Sequence, residues 1–406
     1  MPDPLPTTLA ELPRDRLLAV VYEHMLFGML ANRATLPQVV VAGGGPDDVD
    51  AIAIDLWMGA SPVYTQRTRT LMGIDGDDVP AIMKALQLDV GFVHQYMDVH
   101  YRVRDPLHGE FWLAHCGALL DTEPFGPDRV VGMCHTIEDP TFDATAYSTN
   151  PRARIRPIHR PPRQPADRAP HCHWTIEIDP ANDPVGPARL TERIAALPLA
   201  ALPVAALPEA DGYGGPFDPD RHLDGFSSRA LLAFAPELAM QTHLLMSSAE
   251  IAVAERFGAE RARELIADAW GAAAWITTER LVAALGAYSS VATVLALHAA
   301  IPPGFDRAIE GDDRSFRCVL EPAAPALLDP AQPGWIGALV RGDRRGFDGI
   351  IAPAALGARV DAITVSDGRV VIEGSVDPDR GPLPEPEAMA FMRIGLLSSW
   401  SFSLPR

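Results

Sequence analysis

Two kinds of hydrophobic periodicity alternate along this chain, and they do so twice in the same order. Residues 15–32 (DRLLAVVYEHMLFGMLAN) place apolar side chains at helical spacing. Asp47-Asp48 can cap a helix running to about Ala60, and residues 78–90 read as another helix. Strand-like texture follows at 99–104, 110–120 and 129–138. Residues 171–179 (HCHWTIEID) alternate strictly, as a half-buried strand does. After a proline-rich stretch at 198–216, long alanine-rich helices return at 236–265 and 267–286. Strand-like sequence then recurs at 314–320, 336–341, 358–365 and 369–374, and Asp367-Gly368 supplies a hairpin turn between the last two. Short segments echo across the halves. Ile54-Asp55-Leu56-Trp57 matches Ala267-Asp268-Ala269-Trp270, Leu71-Met72-Gly73 matches Ala284-Leu285-Gly286, and Ala85-Leu86-Gln87 matches Ala296-Leu297-His298, at offsets of 213, 213 and 211. The expected fold is therefore α+β, a tandem duplication of a helical-then-β-sheet unit. Its parts are a first half (1–197), a linker (198–216) and a second half (217–406).

Composition narrows the function. The chain has 406 residues, 48% of them hydrophobic, enough to build an ordinary core. A net charge of −19 argues against general binding to nucleic acid or to an anionic membrane. No apolar run is long enough to span a bilayer. The opening sequence (MPDPLPTTLAELPRDR) is the opposite of a secretory signal, so a cytoplasmic protein is expected. Four cysteines make no disulfide framework. The chain has a single lysine, Lys84, which reads as a solvated helix residue rather than a Schiff-base former. No GxxxxGK[ST] loop is present. Gly43-Gly44-Gly45 precedes three aspartates that would repel phosphate, so it reads as a plain loop.

Chemistry concentrates between His94 and His173, which hold eight of the twelve histidines and three of the four cysteines. They arrive as His115-Cys116, Cys134-His135 and His171-Cys172-His173, the residue types that bind transition metals. If 110–120 and 129–138 pair as an antiparallel hairpin around Pro124-Phe125-Gly126, a register summing to 250 sets Cys116 opposite Cys134 and His115 opposite His135. Thiols then share one face with Glu138, and imidazoles share the other. In the third strand His171, His173, Thr175 and Glu177 point one way. Cys172, Trp174, Ile176 and Ile178 form a core face. The predicted metal set is His115, His135, His171 and His173, for iron, zinc, manganese or copper. Glu138 or Asp139 would serve in acid–base or ligand roles. A metal-free alternative makes Cys116 or Cys134 a nucleophile beside a histidine base. The second half keeps Cys318, His243 and His298, which suggests one working copy and one structural copy.

Residues 151–170 add a local cationic patch of six arginines against Asp167. Arginine forks grip carboxylate and phosphate, so Arg156, Arg160 and Arg163, with His159, are candidates for holding a small anionic substrate. The rival reading pairs these arginines with the protein's own acids.

The helical-then-β layout and the segment Glu310-Gly311-Asp312-Asp313-Arg314-Ser315-Phe316-Arg317-Cys318 are similar to the L-2-amino-thiazoline-4-carboxylate hydrolase family, over about a hundred residues of the second half. The resemblance implies ring-opening hydrolysis of a small heterocyclic carboxylate and carries over no catalytic residue, because 110–173 do not align. The leading expectation is a metal-dependent enzyme, hydrolytic, acting on a small anionic molecule. Alternatives are a non-haem iron or copper oxidoreductase on the same histidines, and a ligand- or metal-binding sensor in which the duplicated units form the dimerising frame of a homodimer.

Overall fold

Each half builds the same succession of elements. The computed structural model describes residues 5–312, 314–390 and 392. Met1 to Pro4 of the acidic N-terminus and Asp313 of the Glu310–Cys318 segment lie outside the described residues. The first half runs α1 (Arg14–Val41), α2 (Pro46–Met72), α3 (Val79–Leu86), β1 (Met97–Asp105) and β2 (His108–Cys116). It continues through α4 (Gly117–Thr122), α5 (Pro127–Val131), a π-helical segment (Gly132–Ile137), α6 (Glu138–Tyr147), β3 (Ala153–His159) and β4 (Cys172–Ile178). After α7 (Thr191–Ala195) the order repeats: α8 (Ser228–Phe257), α9 (Ala259–Leu285), α10 (Val291–Leu297), β5 (Phe305–Gly311), β6 (Ser315–Pro322), α11 (Trp335–Val340), α12 (Arg345–Ile351), β7 (Ala358–Ser366) and β8 (Arg369–Val376). Both sheets are antiparallel, in the orders β1-β2-β4-β3 and β5-β6-β8-β7. The expected α+β fold, with a helical-then-sheet unit occurring twice, is the fold observed.

The repeat reaches individual side chains. Arg67 on α2 makes a two-pronged ion pair with Glu237 on α8, with Nε to Oε2 at 2.8 Å and Nη2 to Oε1 at 2.7 Å. Arg280 on α9 makes the same pair with Glu23 on α1. Arg67 and Arg280 are 213 residues apart, Glu23 and Glu237 are 214 apart. The third helix of each half is capped by a side-chain oxygen, Asp78 Oδ1 on the Ala81 amide and Ser290 Oγ on the Thr293 amide, each at 3.0 Å. In the strand-bearing part the offset falls to 205. The Ile155 amide donates to Asp143, and the Val360 amide to Asp348.

The two halves interlock. α1 lies against α8 and α9, α2 lies against α8, and α1 and α2 touch each other far less. One hydrophobic core runs through both halves, from Phe27 and Phe111 to Trp270 and Ile372. The stretch 198–216 is accordingly no loose tether. Arg67 Nη1 donates to the Ala200 and Leu202 carbonyls, and Tyr213 is buried with its hydroxyl on Gln87 Oε1 at 2.8 Å. Lys84, expected in solvent, is buried too. Its ammonium donates to the Gly215 carbonyl and stands 5.0 Å from the centre of the Tyr213 ring.

Five expectations need correcting. Residues 129–138 are helical throughout, despite their β-branched and apolar content. The segment packs against α2, and this tertiary contact outweighs propensity. Residues 117–120 leave the strand and open α4, with Cys116 Sγ accepting the Leu119 amide. Residues 336–341 belong mostly to α11 rather than a strand. The break between the long second-half helices is at Gly258, where φ is +87°, and not near residue 266. The proline- and arginine-rich stretch 151–170 conceals β3, which the proline content hid. By contrast, Asp367 and Gly368 both take positive φ (52° and 73°), as the predicted two-residue turn requires. Among the described residues no single helix is long and apolar enough to cross a bilayer.

Candidate functional site

With 129–138 helical, the hairpin that set His115 across from His135 does not exist. β2 pairs with β1 and β4, and His115 faces Asp98. His135 sits in the π-helical segment with Nε2 on the Pro161 carbonyl at 2.7 Å. His171 Nδ1 accepts the Cys116 amide at 3.1 Å, and its ring centre lies 5.7 Å from that of His115. Burial lowers the His171 pKa to about 4, helped by Arg163, and lowers that of His115 as well. His173 donates from Nε2 to Glu110 Oε2 at 2.8 Å. Burial pushes Glu110 up, but Arg104 and His173 outweigh it and leave its carboxyl below the usual range. Among the described residues no three His, Cys, Asp or Glu side chains are arranged to hold a metal ion. The four-histidine cage is therefore not assembled.

The predicted division into faces survives on different geometry. One register line crosses the whole first sheet on its outer face, His100–Trp112–His173–His159. Its rings touch in sequence, with centres 5.6, 5.6 and 6.2 Å apart. On the inner face Cys172, Trp174, Ile176 and Ile178 are buried, as expected. Cys116, Cys134 and Cys172 are all buried and free. Burial raises each thiol pKa, that of Cys116 to about 12, and Glu138 raises each further. An activated nucleophile needs the opposite shift, so Cys134 and Cys116 are in no state to attack.

The arginines are occupied by the protein itself. Arg156 pairs with Asp143 at 2.8 Å, Arg160 with Asp139, and Arg163 with Glu123 through two bonds of 2.9 and 3.0 Å. His159 ends the aromatic row. The forks expected to hold an anionic substrate are spent on internal acids, and Asp139 is spent with them.

Glu138 occupies a different environment. It opens α6, directly after the π-helical segment, a rare geometry that recurs at functional sites. It lines a cavity of about 1220 Å³ enclosed by α1, α2, the α4–α6 region and the inner face of the first sheet. The walls are mainly apolar, among them Met29, Leu36, Trp57, Phe92, Leu113 and Phe142. Glu138 is part-buried as a residue, since one side of it meets the cavity, but Oε2 is sealed from solvent and has no hydrogen-bond partner. Burial pushes its carboxyl up to about 8, against the pull of Arg160. Asp89, also in the wall, is raised by burial to about 6 while accepting the Tyr64 hydroxyl at 3.0 Å and the Gly91 amide at 2.6 Å.

The second half shows how the cavity arises. Gly271 on α9 and Gly349 on α12 let those helices close until a Cβ on Gly349 would stand 2.4 Å from the Gly271 carbonyl oxygen. The corresponding residues of α2 and α6 are Met58 and Ala144, both larger than glycine. Phe347 fills the space in the second half, fully buried against Trp335, whereas its counterpart Phe142 faces open volume. Asp343 stands where Glu138 would be, and Arg345 neutralises it through contacts to both carboxylate oxygens. Burial raises Asp343, but these bonds prevail and hold it below the usual range.

Sequence reasoning selected Glu138 but missed Asp89, Trp57, Phe92, Asp50 and Asp121. Asp89 was the one detectable from sequence, an acid set inside the apolar run Leu88–Val93. The others look like ordinary amphipathic positions. Comparison with family models, with curated proteins and with solved structures finds no match. The reading of the site rests on its own chemistry.

Proposed function

We propose that the first half binds a small, largely apolar molecule in this cavity and that Glu138 exchanges a proton with it, as the general acid–base group of an enzyme. The observation that carries the reading is Glu138, a carboxyl with an unpartnered Oε2, in the wall of a largely apolar cavity of about 1220 Å³. Perturbed carboxyls in apolar clefts mark functional sites, because evolution otherwise pairs or removes them. A group with its pKa near the working pH both gives and takes a proton readily. The role of Glu138 in acid–base chemistry is thus kept from the sequence, while the metal, the thiol nucleophile and the arginine-bound anion are not carried forward.

Binding of a neutral naphthalene dye, N-phenyl-1-naphthylamine, tests the reading. Wild-type protein should raise its fluorescence. Thr136→Trp and Leu36→Trp add bulk to side chains that already border open volume, and each should abolish the rise while thermal unfolding stays cooperative. Equal dye binding by both variants would sink the proposal.

A further inference from the structure

The walls of the cavity carry seven carboxyl groups and two guanidinium groups. Both guanidiniums are already engaged. Arg33 binds Asp121 at 2.8 Å, and Arg129 binds Asp50 at 2.6 Å. Glu123 is held by Arg163, and Asp89 by Tyr64 and Gly91. Three acids remain. Asp47 and Asp128 are exposed and make no ion pair among the described residues, and Glu138 lies within, its Oε2 unpartnered and sealed. The rest of the surface is apolar, and the apolar character continues to the rim. Phe125 is 70% exposed, Val40 59% and Val131 38%, and all three border the opening. Large hydrophobics so exposed at a cavity mouth are suited to receiving a poorly soluble molecule.

From this charge balance we infer that the ligand is an apolar amine, a hydrophobic body carrying one ammonium group that Glu138 receives. The inference rests on the cavity being a binding site, as proposed above. A neutral ligand would leave the Glu138 carboxyl without a charged partner. An anion would meet like charge at Asp47 and Asp128. An ammonium beside the Glu138 carboxyl, which lines the cavity, turns the cost of its burial into an ion pair. The proton balance is definite. Glu138 holds a proton near neutral pH, so pairing releases that proton to solvent as the carboxylate forms against the ammonium. No bond to carbon is made or broken in this step.

Three eight-carbon probes isolate the charge: octylammonium, 1-octanol and octanoate, each displacing the naphthalene dye from the full-length protein at neutral pH. Octylammonium should displace the dye at least tenfold more tightly than octanol, and octanoate should be the weakest. Calorimetry in buffers of different ionisation enthalpy should show release of close to one proton per octylammonium. Glu138→Gln should erase the ammonium advantage and the proton release, with octanol affinity unchanged. Octanol binding as tightly as octylammonium, or octanoate binding best, would overturn the amine inference and leave the cavity reading standing. Failure of the dye and all three probes to bind would overturn both.

Discussion

Replacing Glu138 by Gln removes one ionisable group from the cavity and keeps its shape, so the consequence for stability can be worked out in advance. The carboxyl is pushed up to about 8 in the folded protein, chiefly by burial. In an unfolded chain a glutamate ionises near ~4.3. Between these values the folded protein holds a proton that the unfolded chain has released, so rising pH favours unfolding. The contribution of Glu138 is fully present below the unfolded value and is lost as pH climbs through the folded one. The limiting slope is about 1.4 kcal/mol per pH unit. Because one side of the residue meets the cavity, water there screens the charge, and the loss from about pH 5 to pH 8 is on the order of 3 kcal/mol rather than the full product. Urea unfolding of both proteins across that range is the assay. The two should be equally stable at the acid end, with the Gln variant drawing ahead steadily above it. Asp89, raised by burial to about 6, has the same sign but is common to both proteins and cancels. Parallel stability profiles would refute the claim that Glu138 is forced to hold its proton.

The remaining predictions concern the frame. Glu237→Ala removes the carboxylate partner of Arg67, whose side chain is only 8% exposed, and should cost about 3–5 kcal/mol in urea unfolding. Glu23→Ala should cost less, since water reaches the partner Arg280, which is 23% exposed; equal costs would contradict the burial argument. Gly349→Ala drives a methyl group into the Gly271 carbonyl and should cost about 1–3 kcal/mol, measurable as a lowered Tm, with dye binding in the first half retained. Arg163→Ala breaks a part-exposed pair, should cost about 1 kcal/mol or less, and should leave octanoate binding unchanged. Weakened octanoate binding would revive the arginine loop as an anion site.

The sequence showed the fold more clearly than the site, for physical reasons. Helical and strand periods are written locally, so α1, α2, β4 and the β7–β8 turn were all legible. The repeat was legible because Trp57 and Trp270, with their neighbours, keep a common offset of 213. Residues 129–138 misled because Val130, Val131, Thr136 and Ile137 favour strands, while their packing against α2 decides for helix. Everything built on that hairpin, including the His115–His135 pairing, fell with it. The cavity left no mark at all. An empty volume is a property of how elements stand in space, and the contrast of Met58 and Ala144 with Gly271 and Gly349 acquires meaning only when the two halves are aligned.

Duplication explains how a costly group can persist. In a single unit, a carboxyl with no partner in an apolar wall subtracts from a narrow margin of stability. Here the halves share one core, and the burden of folding is carried by features both retain: the Arg67–Glu237 and Arg280–Glu23 pairs, the capped third helices and the two identical sheet orders. The second half goes further, with Phe347 in the space, Arg345 on Asp343, and α12 drawn against α9 by paired glycines. Each of these acts in the direction opposite to its counterpart in the first half. The core shared by both halves lets the chain carry an unneutralised Glu138 in the first. On the proposed function the first half is the working copy and the second the structural one, with Phe347 and Arg345 closing and neutralising the position that Glu138 leaves open.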